Sequence, residues 1–278
     1  MAMEDQEALY SGDLGFMGRG MILATLPHRD PKVNEFTRNN GTYSLTIMAP
    51  SAIGLPYGSY ARLLLAWIST EAVRTKSREL VLGRSMSEFM GQLGLLPTGG
   101  RWGTIPQLKK QMTRLFRASF SCAYTDADRV AGVNMQVVRA FDLWWEPKTP
   151  DQPCLFESTI SLNEDFFAEI TNRPVPIDMR ALEALKGSSL ALDIYFWSTF
   201  RVSYLKRETM IPWESLQGQF GSEYADTKQG RYGFKRNFLA QLVKVQVAYP
   251  DLHCSDGEHG LILAPSRTSI SRRPPSGG

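Results

Sequence analysis

The stretch Ser85–Ala118, SMSEFMGQLGLLPTGGRWGTIPQLKKQMTRLFRA, decides the fold. Its first letters, Ser85-Met86-Ser87-Glu88, form a capping box: the serine hydroxyl accepts from an amide three residues on, and the glutamate reaches back. The short helix that follows carries Phe89, Met90 and Leu93 and stops at Gly94. Pro97-Thr98-Gly99-Gly100 is a turn. Thr104-Ile105-Pro106-Gln107 reads as a second capping box, with Pro106 in the first turn, where its missing amide hydrogen costs little. This second helix runs to about Ala118. Ile105, Leu108, Met112, Leu115 and Phe116 fall on one side of it, and Lys110, Arg114 and Arg117 form a stripe on another, with Lys109 at its edge. A short helix, a Gly-rich turn and a basic helix make a helix-turn-helix.

The flanks complete the unit. Thr42–Met48 alternates around Tyr43, Leu45 and Ile47 and predicts a strand. Pro56 opens a helix in which Tyr60, Leu63, Leu64, Trp67, Ile68 and Ala72 share one wide apolar face. Glu79–Leu82 is a short strand. Downstream, Phe120–Tyr124 and Val133–Trp145 read as two strands around the turn Asp126–Gly132, a β-hairpin wing. The second half follows the same order. Leu190–Lys206 is a helix apolar on nearly all sides, and its Asp193 reads as a paired buried carboxylate. Glu208–Ile211 is a strand, Pro212 opens a short helix with Trp213 and Leu216 that ends near Gly221, and a second basic helix runs from Gly230 to about Val247. Leu252–Cys254 and Leu261–Ala264 form the second hairpin.

Letters repeat along with the order. Arg78-Glu79 matches Arg207-Glu208, Gly91-Gln92-Leu93-Gly94 resembles Gly218-Gln219-Phe220-Gly221, and Gly100-Arg101-Trp102-Gly103 matches Gly230-Arg231-Tyr232-Gly233. The predicted fold is therefore α+β, with two tandem winged-helix domains over residues 42–150 and 151–264. Residues 1–41 read as a loosely ordered N-terminal arm, and 265–278 as a disordered basic tail.

The charge distribution points to a polyanion. The chain nets only +3. The window Arg101–Arg117 holds Arg101, Lys109, Lys110, Arg114 and Arg117 with no acid. The window Lys228–Lys244 holds Lys228, Arg231, Lys235, Arg236 and Lys244, also with no acid. Without these windows the chain is net acidic. Stacked like charges cost a helix roughly 0.2–0.5 kcal/mol per pair, and no glutamate is interleaved to relieve them. Such a stripe in a helix-turn-helix is the footprint of double-stranded DNA binding. Lysine and arginine can neutralise phosphate or pair with guanine, and amide side chains can read adenine. The expected DNA-binding residues are Arg101, Thr104, Gln107, Lys109, Lys110, Arg114 and Arg117 in the first unit, and Lys228, Arg231, Lys235, Arg236 and Asn237 in the second. Trp102 and Tyr232 are expected to pack inward while the neighbouring arginines face DNA.

Other classes are disfavoured. Cys122, Cys154 and Cys254 lie far apart, without CxxC spacing, which argues for a reducing cytoplasmic compartment and against a zinc ribbon. No signal-peptide pattern opens the sequence, and its longest apolar stretch, interrupted by Asp193, is too short to span a bilayer. The three histidines form no HxH pair, and His253, Cys254 and His259 lack a metal-site motif. No nuclease-like carboxylate cluster stands out, so no metal, cofactor or enzymatic activity is expected.

Particular residues carry a family resemblance. Leu55-Pro56-Tyr57-Gly58, Glu71-Ala72-Val73-Arg74-Thr75, Leu82-Gly83-Arg84-Ser85, Leu93-Gly94-Leu95 with Thr98-Gly99-Gly100, and Gln111 with Arg114-Leu115-Phe116 resemble the plasmid-encoded RepA-type replication initiators. The resemblance extends from about Ile47 to Ala264 and is more specific in the first half. It implies tandem winged-helix domains that bind repeated origin sites (iterons), help open the neighbouring duplex, and recruit the host replication initiator and helicase machinery. It also implies homodimerisation through the first domain and self-repression in some members, and thus a role in plasmid copy control. A winged-helix transcriptional repressor that never melts DNA, and a nucleic-acid-processing enzyme with a basic surface, are the alternatives at this point.

Overall fold

The computed structural model describes residues 13–145, 149–221 and 223–270. Two helices, α2 (Gly58–Thr75) and α7 (Ser189–Val202), pack against each other at the centre and are buried on nearly all sides. Each begins one winged-helix unit. In the first, α2 leads to β4 (Glu79–Gly83), α3 (Met86–Gln92) and α4 (Thr104–Phe116). In the second, α7 leads to β10 (Thr209–Pro212), α8 (Trp213–Phe220) and α9 (Lys228–Ala248). The Ser85 hydroxyl accepts from the Glu88 amide at 3.1 Å, and the Glu88 carboxylate accepts from the Arg84 amide at 2.9 Å, so this box closes one residue earlier than the sequence pattern suggests. Gly103, not Thr104, caps α4.

The wings are where the sequence reading needs correction. The hairpin of β5 (Ser119–Thr125) and β6 (Val130–Gln136) does not pair with β4. It joins β2 (Glu35–Asn40) and β3 (Tyr43–Met48) in a four-stranded antiparallel sheet ordered β2-β3-β5-β6, with Leu45 opposite Cys122 and Phe120 opposite Met135. The wing of the first unit is instead β7 (Val138–Asp142) and β8 (Ser158–Leu162), in a sheet ordered β4-β8-β7. Val133–Trp145 is therefore two strands in two different sheets, and the first unit reaches past residue 150. The second unit has the matching order β10-β12-β11, with β11 (Cys254–Asp256) and β12 (Gly260–Leu263). In both units the first strand pairs with the last.

Between the units lie α5 (Glu164–Thr171), β9 (Val175–Asp178) and α6 (Met179–Leu185). The supposed arm is ordered from Asp13 onward. β1 (Leu14–Met17) pairs with β9, α1 (Arg19–Leu23) buries Met21 and Ile22, and the chain then crosses the molecule before entering β2. Residues 1–12 of the arm lie outside the described residues. So do residues 271–278 of the tail, whereas Ser269 bonds to the Tyr195 hydroxyl at 2.6 Å.

One buried cluster joins these parts. The Arg62 Nε and Nη2 donate to the two Asp193 carboxylate oxygens, each at 2.6 Å. The remaining Arg62 hydrogens go to the carbonyls of Leu26, Pro27 and Gly58. His28 Nε2 lies 2.8 Å from Asp193 Oδ2. Asp193 is thus the paired carboxylate that its place in an apolar helix predicts. Burial pushes the Asp193 pKa up, but the Arg62 charge and the His28 and Arg62 hydrogen bonds more than offset it, and its pKa is lowered. Burial holds His28 below its ordinary value despite the pull of Asp193.

Removing one partner of a buried ion pair leaves the other charge uncompensated, at a cost of about 3–5 kcal/mol. Asp193→Ala is expected to lose stability on that scale in urea unfolding, and Asp193→Asn, which keeps the shape but not the charge, to lose most of it. Near-wild-type stability of Asp193→Asn would contradict the role of the charge. The cluster also makes the fold acid-sensitive. A histidine with a lowered folded pKa binds its proton more readily when unfolded, so stability falls as pH drops below the unfolded value of about 6.5. The lowered Asp193 pKa acts in the same direction at lower pH, below its unfolded value. Thermal unfolding between pH 8 and 5 is expected to show a falling midpoint, and His28→Gln to flatten that fall.

Candidate nucleic-acid interface

The turn before α4 is built by local necessity. Gly100 has φ +78, in the left-handed region, and the Gly103 amide donates to the Gly100 carbonyl at 3.1 Å. A Cβ on Gly103 would sit 2.2 Å from the carbonyl oxygens of Thr98 and Gly99. Thr98 and Thr104 clasp the turn through reciprocal amide–hydroxyl bonds of 2.9 Å, and the Thr104 hydroxyl donates to the Leu96 carbonyl at 2.6 Å. Thr104 is therefore engaged in shaping the turn. At the tip stand Arg101 and Trp102, the guanidinium 5.0 Å from the indole centroid. Trp102 is 80% exposed. The expected inward packing of this aromatic is incorrect: the tight turn aims it at solvent.

Along α4 the buried face holds Ile105, Leu108, Gln111, Met112, Leu115 and Phe116. The outer face holds Lys109, Lys110, Thr113 and Arg117, all exposed, with Gln107 half-buried beside them. Among the described residues, none of Lys109, Lys110 and Arg117 has a carboxylate within ion-pair distance, and α4 contains no acid of its own. Arg114 departs from the predicted stripe. Its guanidinium donates to Asp30 at 3.2 Å and to the Leu55 carbonyl at 3.0 Å, and lies 5.1 Å from the Tyr57 ring centroid. Its side chain is only 11% exposed. It braces α4 against the crossing segment and is not presented to a ligand. Gln111 is buried too, accepting from the Tyr57 amide at 2.9 Å.

The second helix starts earlier than its sequence motif suggests. The Thr227 hydroxyl caps α9 by accepting from the Gly230 amide at 3.1 Å, so Gly230-Arg231-Tyr232-Gly233 lies within the helix and not before it. Gly230 is required here, since a Cβ would sit 2.0 Å from the Ala225 carbonyl oxygen. Lys228, Arg231 and Arg236 are exposed. Arg231 reaches Asp226 at 3.2 Å. Lys235 is half-buried, 2.8 Å from Asp256 on the wing and 4.7 Å from the Trp213 ring centroid, and so ties the helix to its wing. Asn237 donates to the Tyr224 hydroxyl at 2.9 Å. Tyr232, like Trp102, faces out, at 67% exposure.

The predicted residues that are exposed and without an ion pair among the described residues are thus Arg101, Lys109, Lys110 and Arg117 in the first unit and Lys228 and Arg236 in the second, with Lys110 Nζ 5.8 Å from the Tyr57 ring centroid. Sequence reasoning counted Thr113 among the uncharged hydrogen-bonding groups of the basic helix and missed Trp102 and Tyr232 as presented groups. The outward position of Thr113 was available from helical spacing, four residues from Lys109 and Arg117. The exposure of Trp102 was not, because it depends on the turn, and that of Tyr232 follows only from a helix that starts at Lys228. Arg139 lies exposed on β7 of the true wing, whereas Arg129 lies in the β5–β6 turn. Among the described residues no group of histidine, cysteine and carboxylate side chains could hold a metal ion, and no helix is long and apolar enough to cross a membrane.

Comparison with known proteins agrees with this architecture. A crystal structure of domains 2 and 3 of RctB matches with a TM-score of 0.57 at 9% identity, covering 91% of this chain and 97% of that one. A second RctB domain 2–3 crystal structure matches with a TM-score of 0.53 at 11% identity, covering 87% and 94%. At such identity the likeness shows the fold alone, a tandem winged-helix arrangement. No curated protein matches the chain. The family model for plasmid-encoded RepA proteins matches residues 55–215, more than half the chain. The protein belongs to the family of plasmid-encoded RepA replication proteins.

Proposed function

We propose that the protein initiates plasmid replication by binding repeated double-stranded sites at the origin through α4 and α9, each in a major groove of one duplex. The carrying observation is the outer face of α4: Lys109, Lys110, Thr113 and Arg117 are exposed side by side, and their charges are left without ion pairs among the described residues. Phosphate is the ligand that such a stripe lacks. The turn before it presents Arg101 and Trp102 on the same approach to the helix N-terminus, where the backbone also favours an anion. The second helix contributes Lys228 and Arg236. On this reading, binding promotes local opening of the duplex and recruitment of the host initiator and helicase machinery, and the protein itself performs no bond chemistry. Family membership supports the replication role, and the absence of acids from both helices supports duplex DNA as the ligand.

The cations of α4 divide into those that face a ligand and one that faces the fold. Lys110→Ala and Arg117→Ala are expected to weaken binding to origin DNA and to reduce the slope of log K against log salt by about 0.9 for each phosphate that is no longer neutralised. Arg114→Ala is expected to lower the unfolding midpoint, since it removes a partner of Asp30. An unchanged salt slope for both the Lys110 and the Arg117 variant would refute the assignment of this face. For initiation itself, permanganate footprinting on supercoiled origin DNA is expected to reveal unpaired thymines beside the bound repeats. Binding without them would leave a repressor.

A further inference from the structure

The basic helices agree in what they bury and differ in what they present. Aligning Gly100 with Gly230 sets Leu108 against Phe238, Met112 against Leu242 and Leu115 against Val245, all of them buried. On the outer face the same alignment sets Lys110 against Ala240, Thr113 against Val243 and Arg117 against Val247. Where α4 presents cations, α9 presents apolar groups. Ala240 is exposed, Val243 is 60% exposed and Val247 is 78% exposed.

Helical spacing puts Tyr232, Arg236, Ala240 and Val243 in one line, opposite Phe234, Phe238, Leu242 and Val245. The stripe is therefore not a frayed part of the core. It continues from the basic first half of the helix, it is flanked by exposed Lys244, and α9 carries no acid anywhere along its length. An apolar line flanked by cations and amides, on a helix without acids, matches a surface whose rims are anionic and whose floor is apolar. The major groove of thymine-containing DNA has that form, with phosphates at its rims and C5-methyl groups projecting from its floor.

We propose that α9 reads thymine methyl groups with Ala240 and Val243, so that the half-site under the second unit is thymine-rich, whereas the half-site under α4 is held by Lys110 and Arg117. This rests on the duplex-binding reading given above. Arg236, one turn before Ala240, and Lys244, beside Val243, fix the helix against the phosphates, and Val243 meets the methyl. Arg236 and Lys244 thus flank the apolar pair Ala240 and Val243 along the helix.

The test uses the full chain and a duplex that it selects from a random-sequence pool. Hydroxyl-radical footprints of wild type and Lys110→Ala assign each half of the selected site to a unit. Deoxyuridine then replaces thymidine in one half at a time, which removes the methyl and leaves base pairing intact. In the α9 half, wild type is expected to lose about fourfold in affinity per methyl touched, the factor that corresponds to ~0.8 kcal/mol per buried carbon. Val243→Ser, at an exposed position, is expected to bind the thymidine and deoxyuridine duplexes nearly alike. Equal affinity of wild type for both duplexes overturns the inference, as does an equal loss for wild type and Val243→Ser. If Val243→Ser leaves DNA binding unchanged but abolishes a protein contact, the face is a protein-docking surface and the inference again fails. Failure of the pool to yield any enriched duplex would instead refute sequence-specific binding itself, together with everything built on it.

Discussion

The structure hangs on the ion pair between Arg62 and Asp193. A guanidinium and a carboxylate taken out of water are each costly, and only a fully satisfied arrangement tolerates both. Here five guanidinium hydrogen bonds go to Asp193 and to the carbonyls of Leu26, Pro27 and Gly58. Asp193 takes His28 as a further partner. The pair lies between the two central helices, one from each winged-helix unit. Its remaining hydrogen bonds go to the Gly58 carbonyl of α2 itself and to the chain that crosses from β1 to β2. The geometry that satisfies the charges therefore also fixes three segments far apart in sequence.

That crossing segment acts as a common frame for both basic helices. Its Asp30 holds Arg114 of α4. Its His28 and Arg29 amides donate to Glu223, which precedes α9. One cation from the predicted DNA-binding stripe is thus used inside the molecule, to set the position of the helix that carries the others. Arg38, buried on β2 and lying 5.1 Å from the Phe36 ring centroid, belongs to the same neighbourhood. Burial lowers its pKa to about 10, so it stays charged at neutral pH and adds to the demand for Asp193 as a counter-charge.

The two units are variations on one topology rather than copies in detail. Both pair the first strand with the last and carry the basic helix before the wing. They part in their insertions and in the depth of their motifs. The hairpin β5–β6 builds a sheet that the second unit lacks among the described residues. The Gly-Arg-aromatic-Gly letters form a turn before α4 but the first turns of α9. In both places a glycine is required by a carbonyl oxygen, yet by different ones, Thr98 and Gly99 in the first and Ala225 in the second. The same four letters serve two backbones, because tight approach to a carbonyl is all that they share.

The sequence by itself determined the helices of the two winged-helix units, their order, the two basic segments and the tandem winged-helix class, but not α1, α5 or α6. These are legible because helix periodicity, capping residues and the absence of acids are local properties of consecutive letters. That Lys109, Lys110, Arg117, Lys228 and Arg236 would be exposed cations was legible in the same way. Tertiary structure alone decided which strands form the wing, since Ser158–Leu162 and Phe120–Tyr124 both alternate and only packing selects the partner of β4. It also decided that Arg114 faces inward, because Asp30 arrives from a segment that looks unstructured in sequence. It turned Trp102 outward through a turn whose geometry depends on the Thr98–Thr104 clasp. In each case the deciding partner is distant in the chain or depends on backbone conformation, and no local pattern records it.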